Sequence, residues 1–173
     1  MRVILKVLVL LIVAVFSCLA YGFTEENAMN ITSPAFGSKA MIPAEYTCQG
    51  EDINPPLEIS GVPKDSKSLA LIMDDPDAPM GTWVHWVVYN IPSSTTAIAE
   101  KTIPGQQAVN SFGKFDYGGP CPPSGTHRYF FKVYALNVSG FENNKSLNKS
   151  SLEQMMQGHI LAQAELIGLY KKR

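Results

Sequence analysis

The sequence predicts a mostly-β, loop-rich domain, on three observations. The 173 residues include 13 glycines and 12 prolines but are only 17% charged, a balance that suits short strands joined by turns rather than a helical bundle. Two short apolar runs, Ser68–Met73 and Val84–Ile91, have the length of buried strands, and the second is rich in Val, Trp and Tyr. A third run, from Arg128 to Val138, alternates Tyr129, Phe131, Val133 and Ala135 with Phe130, Lys132, Tyr134 and Leu136. Both of its faces are largely apolar, which places it in the middle of a sheet.

The chain opens with a basic stretch, Met1–Lys6, followed by an uninterrupted apolar core from Val7 to Phe16. Such a core has the length of a signal-peptide h-region and is too short for a comfortable membrane span. Ala20 and Gly22 supply small residues for a cut after Gly22, and Cys18 and Ala20 for a cut after Ala20; residues 1–22 are read as a signal peptide and the protein as exported, periplasmic or secreted. Val15-Phe16-Ser17-Cys18 loosely matches a lipobox and offers lipoprotein anchoring through Cys18 as a second reading. Residues 23–173 are enough for one domain with a full core. Of 14 basic residues, Arg2 and Lys6 leave with the signal, so 12 face 15 acidic ones, a net charge of −3. That balance argues against a nucleic-acid partner, which calls for a basic face.

Two cysteines remain, Cys48 and Cys121. In an oxidising compartment an even pair reads first as a disulfide, with two free thiols as the other reading. Neither has a Cys-x-x-Cys partner, so they do not suggest a metal site.

Along the domain, Ile31–Phe36 is a strand candidate interrupted by Pro34, and residues 47–56 are loop. Leu57-Glu58-Ile59-Ser60 alternates as a half-buried strand does. Pro92–Asn110 reads as mostly polar loop, and the glycine- and proline-dense Ser111–Ser124 as a long ordered one. Residues 139–149 form a polar linker. Ser150-Ser151-Leu152-Glu153 has the form of a capping box, predicting a helix with Ser150 as N-cap, Leu152, Met155 and Met156 facing inward, and Gly158 near its end. Ile160–Tyr170 fits a strand and a continued helix nearly equally.

Two segments carry the chemistry. Asp75-Pro76-Asp77-Ala78-Pro79, followed by His85-Trp86, and Gly125-Thr126-His127-Arg128-Tyr129 each lie where polar loop meets apolar strand, the usual place for a pocket mouth. Pro76 and Pro79 stiffen the first turn. Asp77 is expected to cap that turn, and Asp75, directly after the apolar run, to face the pocket. An Asp beside an imidazole accepts its N–H and fixes its tautomer. His127 and Tyr129 point to the same side of their strand, while Arg128 points to the other and is expected to pair structurally. The histidine and carboxylate spacings match no usual zinc pattern, so neither metal nor cofactor is expected. Nor does the sequence contain Gly-x-Ser-x-Gly or a cysteine with an evident base beside it.

At these residues the chain resembles the phosphatidylethanolamine-binding protein family, the Raf kinase inhibitor-like proteins, and most of all its bacterial YbhB/YbcL-type branch. The resemblance runs from about Ile31 to Tyr170. It rests on Ile53-Asn54-Pro55-Pro56-Leu57, Asp75-Pro76-Asp77-Ala78-Pro79, His85-Trp86-Val87-Val88-Tyr89-Asn90-Ile91-Pro92, Asp116-Tyr117-Gly118-Gly119-Pro120, Pro122-Pro123 and Gly125-Thr126-His127-Arg128-Tyr129. It implies a central antiparallel sheet packed on a smaller sheet, with peripheral helices and a small anion pocket at one end of the strands. It also implies that Asp75, Pro79, His85, His127 and Tyr129 bind the ligand, with Gly119, Pro120, Pro122 and Pro123 as the pocket wall. Asp77 and Arg128 are then scaffold. The segment between the first motif and His85 is short, only Met80–Val84, so Raf inhibition is not carried over.

The expected function is non-enzymatic binding of a phosphate-bearing small molecule or lipid head group such as phosphorylethanolamine. A protein-interaction module, for instance a peptidase inhibitor or an exported effector, is the alternative. A phosphate-ester hydrolase is a third reading, without an evident nucleophile.

Overall fold

The structure is a computed structural model that describes residues 28–142 and 146–173. Residues 1–22, expected from the sequence to be a signal peptide, and Cys18 among them, lie outside the described residues. Among the described residues nine strands form two sheets. The larger has six strands: β2 (Ala40–Met41), β9 (Ile160–Tyr170), β8 (His127–Leu136), β4 (Ser68–Asp75), β5 (Trp83–Pro92) and β7 (Gln106–Gln107), in that spatial order. The smaller has β1 (Asn30–Thr32), β3 (Leu57–Ser60) and β6 (Ala97–Ile98). Neighbours are antiparallel except at one edge, where β2 runs parallel to the end of β9. One α-helix, α1 (Lys149–Met156), and a 3-10 turn over Ala44–Tyr46 complete the described elements.

The predicted apolar runs are the central strands because they must be buried on both sides. In β4 every residue is buried. Its Leu69, Leu71 and Met73 join Ile31, Leu57 and Ile59 of the small sheet in one core. Its Ala70 and Ile72 join Leu152 and Met156 of α1 in the other. The domain is therefore three layers, small sheet, large sheet and helix. β3 covers the core from one side only, so its Leu57 and Ile59 are buried while Glu58 and Ser60 face out. The Ile160–Tyr170 segment is a strand because β8 offers a full antiparallel partner, from His127↔Tyr170 to Leu136↔Ile160.

The structure corrects the reading of the helix start. Asn148, not Ser150, is the N-cap: its side chain accepts from Ser151 N–H at 3.0 Å, while Ser151 Oγ accepts from Asn148 N–H at 3.0 Å. The helix thus begins two residues early, and its inward face is Leu152 and Met156, four apart, with Met155 turned outward. It ends at Met156, just before Gly158, which adopts φ +76°. Lys149 also reaches Asp74 on β4 at 2.8 Å, and Lys132 reaches the same buried carboxylate at 2.9 Å, so the helix start is tied to the sheet by charge as well as by packing. Cys48 and Cys121 form a disulfide, with Cα atoms 5.5 Å apart.

Candidate functional site

A cavity of about 350 Å³ opens at the edge of the large sheet where β4 ends and β5 and β8 begin. Because β4 is antiparallel to both neighbours, Asp75, His85, His127 and Tyr129 all arrive at this edge on rigid strands. Ala78, Pro79 and Met80 close one side, Cys121, Pro122 and Pro123 another, and Trp83 and Phe112 a third. The polar groups are buried at the floor and the rim is apolar, with Met80 96% exposed and Phe112 44%.

Each floor residue has a local reason for its position. Met73 pairs with Trp86 and Asp74 with Val84, so His85 is the extra residue of a β-bulge. The bulge re-aims the imidazole toward the cavity, a common use of bulges beside sites. The His85 Nδ1–H donates to the Gly118 carbonyl at 2.6 Å, and Gly118 N–H donates back to the His85 carbonyl at 3.1 Å. The ring stands edge-on to Tyr129 and Phe112, with centroids 5.2 and 5.5 Å away. Burial pulls the His85 imidazole below its usual pKa, against the opposing pull of the Gly118 carbonyl and of Asp75, Asp52 and Asp74.

His127 and Asp75 form a buried pair, Nδ1 to Oδ2 at 2.7 Å. The other oxygen of Asp75 accepts the Asp77 N–H at 2.8 Å. It is therefore Asp75 that caps the turn, correcting the assignment to Asp77. The Asp77 carboxylate instead holds Arg128 by Nε at 2.8 Å, Nη2 at 2.6 Å and the backbone N–H at 3.0 Å, which fixes the start of β8 from outside the cavity. The Arg128 guanidinium lowers the Asp77 pKa to about 2. Tyr129 is fully buried, and its hydroxyl proton has no acceptor among the described residues. Burial pushes the phenol well above its usual pKa, and the Asp75 carboxylate adds to the effect. The Cys121 backbone N–H acts on the hydroxyl oxygen in the opposite sense, so it is the hydroxyl proton that is left without a partner.

Of the wall residues expected from the sequence, Pro122 and Pro123 line the cavity and Gly119 and Pro120 do not. Gly119 and Pro120 sit behind it, buried, because the wall is bound to the loop before β3. Gly119 N–H donates to Asp52 Oδ1 at 2.6 Å, Cys48 N–H donates to the Pro120 carbonyl at 3.2 Å, and the Tyr117 hydroxyl donates to the Tyr46 carbonyl at 2.8 Å. A side chain at 119 would run into Asp52 and the Tyr46 carbonyl, so the glycine serves close approach and not ligand contact. Asn110 positions Phe112: its Oδ1 accepts the Phe112 and Lys114 amides at 3.0 Å each, while Nδ2 donates to the His85 and Asp116 carbonyls. The sequence reading missed Trp83, Phe112, Met80, Ala78 and the supports Asp52 and Asn110. Among the described residues no group of three or more His, Cys, Asp or Glu is placed to hold a metal ion.

A family model described as phosphatidylethanolamine-binding protein matches residues 32–171. The chain belongs to the phosphatidylethanolamine-binding protein family. It is 46% identical over 152 residues to a UPF0098 protein of Methanothermobacter thermautotrophicus, covering 83% of this chain and 99% of that one. A UPF0098 protein of Aquifex aeolicus is 48% identical over 152 residues, covering 83% of this chain and 89% of that one. Among solved structures, the family homologue CT736 of Chlamydia trachomatis superposes with a TM-score of 0.82 at 44% identity, over 85% of this chain and 99% of that one. YbcL of Escherichia coli, described as a member of the mammalian family, gives 0.77 at 31% identity, over 84% and 99%. The family therefore carries both the fold class and the branch that the sequence motifs suggest.

Proposed function

We propose that this member of the family is an exported, non-catalytic binding protein whose cavity takes a phosphate-bearing head group such as phosphorylethanolamine. One observation carries the reading: Asp75, His85, His127 and Tyr129 converge on the floor of an otherwise apolar cavity, with the Tyr129 hydroxyl proton unpaired. A few convergent polar groups in an apolar hollow are the usual make-up of a small-molecule site. The lining includes no serine, threonine or free thiol, since Cys121 is bonded to Cys48, which favours binding over nucleophilic catalysis. Export is supported by the signal-like residues 1–22 and by the disulfide, which suits an oxidising compartment.

Calorimetric titration of the purified domain with phosphorylethanolamine tests the function. Saturable binding that weakens at least tenfold in His85→Ala is expected, the loss of a charge-assisted hydrogen bond being worth about 1.5–3 kcal/mol. Identical behaviour of variant and wild type, or no heat at millimolar ligand, counts against it. The exposed apolar rim of Met80 and Phe112 favours the second reading, a protein partner seated over the cavity mouth. That reading gains if Met80→Asp abolishes capture of a partner while leaving phosphorylethanolamine affinity unchanged.

A further inference from the structure

Both cavity imidazoles are held through the same nitrogen. At His85 the partner of Nδ1 is the Gly118 carbonyl, which can only accept, so Nδ1 carries a proton. At His127 the partner is Asp75 Oδ2, on a carboxylate whose other oxygen already accepts an amide, so Nδ1 again carries the proton. In a neutral imidazole the remaining nitrogen, Nε2, is then a bare lone pair. Neither Nε2 has a hydrogen-bond partner among the described residues, and both rings line the cavity. A phosphate oxygen set against a neutral Nε2 would meet lone pair with lone pair. A hydrogen bond there requires a proton that neither partner holds when the ring is neutral and the phosphate fully ionised.

We propose that the site takes up a proton from solvent together with its phosphate, and that His85 Nε2 is the atom that receives or shares it. The inference rests on the reading of the cavity as a phosphate site. The groups facing His85 fit the role. Asp75 on β4 and Asp52 from the loop before β3 favour a charged ring, Asp74 adds to them from the helix side of β4 where Lys132 and Lys149 hold it, Tyr129 on β8 is neutral, and burial opposes charging. His127 on β8 is the other titratable group lining the cavity. An entering anion would tip that balance toward imidazolium. A phosphate monoester, whose second pKa is about 6, could alternatively bring the proton as P–O–H. Near neutral pH that proton also comes from solvent. A phosphodiester has no such proton to bring, so with a diester the uptake falls on the imidazole.

The experiment is calorimetry of the disulfide-bonded domain at about pH 7.5 in buffers of different ionisation enthalpy, which counts protons exchanged on binding. Phosphorylethanolamine and glycerophosphorylethanolamine serve as monoester and diester probes. Uptake of about one proton is expected, with affinity falling about tenfold per pH unit on the alkaline side. Uptake with both probes assigns the proton to the ring, and uptake with the monoester alone assigns it to the shared P–O–H···Nε2 bond. His85→Gln, which does not titrate, should take up about one proton fewer; the buffer comparison on wild type stands even where that variant fails to fold. Binding with no proton exchange and a flat pH profile overturns the inference and leaves the phosphate reading intact. No binding of either probe from pH 5.5 to 8 overturns both.

Discussion

At Tyr129 the demands of folding and of the proposed binding pull in different directions. It occupies the same face of β8 as Phe131 and Val133 and is as deeply buried, yet it ends in a hydroxyl whose proton finds no acceptor. Tyr129→Phe removes an unpaired proton but also the oxygen beside the Cys121 amide, so it should change the unfolding free energy by no more than about 1 kcal/mol in either direction while weakening phosphorylethanolamine binding about tenfold. Denaturant unfolding and calorimetry on the same variant measure the two effects. Equal losses in both would assign the hydroxyl a structural partner instead. Asp75, His127 and Tyr129 were legible in the sequence because strand alternation and a polar loop boundary place them. His85 was legible as a candidate, but its aim depends on a bulge, and nothing in Val84-His85-Trp86 announces which residue will be extra. The apolar wall was illegible for a different reason. Trp83, Phe112 and Met80 lie at or beyond strand ends, where no periodicity applies, and they meet only because the Asn110 side chain holds the loop that carries Phe112.

The elements divide by how much of their burial is local. The strands β4, β5 and β8 were legible as continuous apolar runs because each has a core on both faces. The strands β2, β6 and β7, two residues each, carry no pattern of their own and exist where a longer neighbour offers an edge. The helix falls between. Two candidate caps, Asn148 and Ser150, compete within three residues, and packing decides, because starting at Asn148 also brings Lys149 to Asp74. With eight residues α1 is too short to be stable alone, so its stability comes from Leu152 and Met156 against the large sheet. Leu152→Ala should cost about 2–5 kcal/mol by denaturant unfolding. The cavity is on the other face of the sheet, so phosphorylethanolamine affinity should change less than about twofold where the variant is fully folded. A larger change would mean that the two faces of the large sheet are coupled.

In the whole molecule, the cavity is the place where the large sheet meets a wall that has no regular secondary structure. The stretch from Tyr117 to Pro123 is held by neighbours and not by its own hydrogen-bond ladder. Its ties are the Cys48–Cys121 disulfide, the Gly119–Asp52 and Pro120–Cys48 hydrogen bonds, the exchange between Gly118 and His85, and the Tyr117 hydroxyl on Tyr46. The covalent tie and the polar ties make different predictions. The disulfide joins residues 73 apart in sequence, so in the chain-entropy picture it constrains mainly the unfolded chain, by about 4 kcal/mol. The hydrogen bonds act in the folded state and set the position of the wall. Reduction should therefore lower the unfolding midpoint substantially. At a temperature where the reduced protein is still folded, it should change phosphorylethanolamine affinity less than about threefold. Asp52→Ala should do the reverse, loosening the wall at Gly119 and weakening binding several-fold for a stability loss of about 1 kcal/mol. Denaturation and titration of the oxidised, reduced and Asp52→Ala proteins separate the two cases. If reduction abolishes binding by folded protein, the disulfide itself positions the wall, and the cavity would then be open to control by the redox state of its compartment.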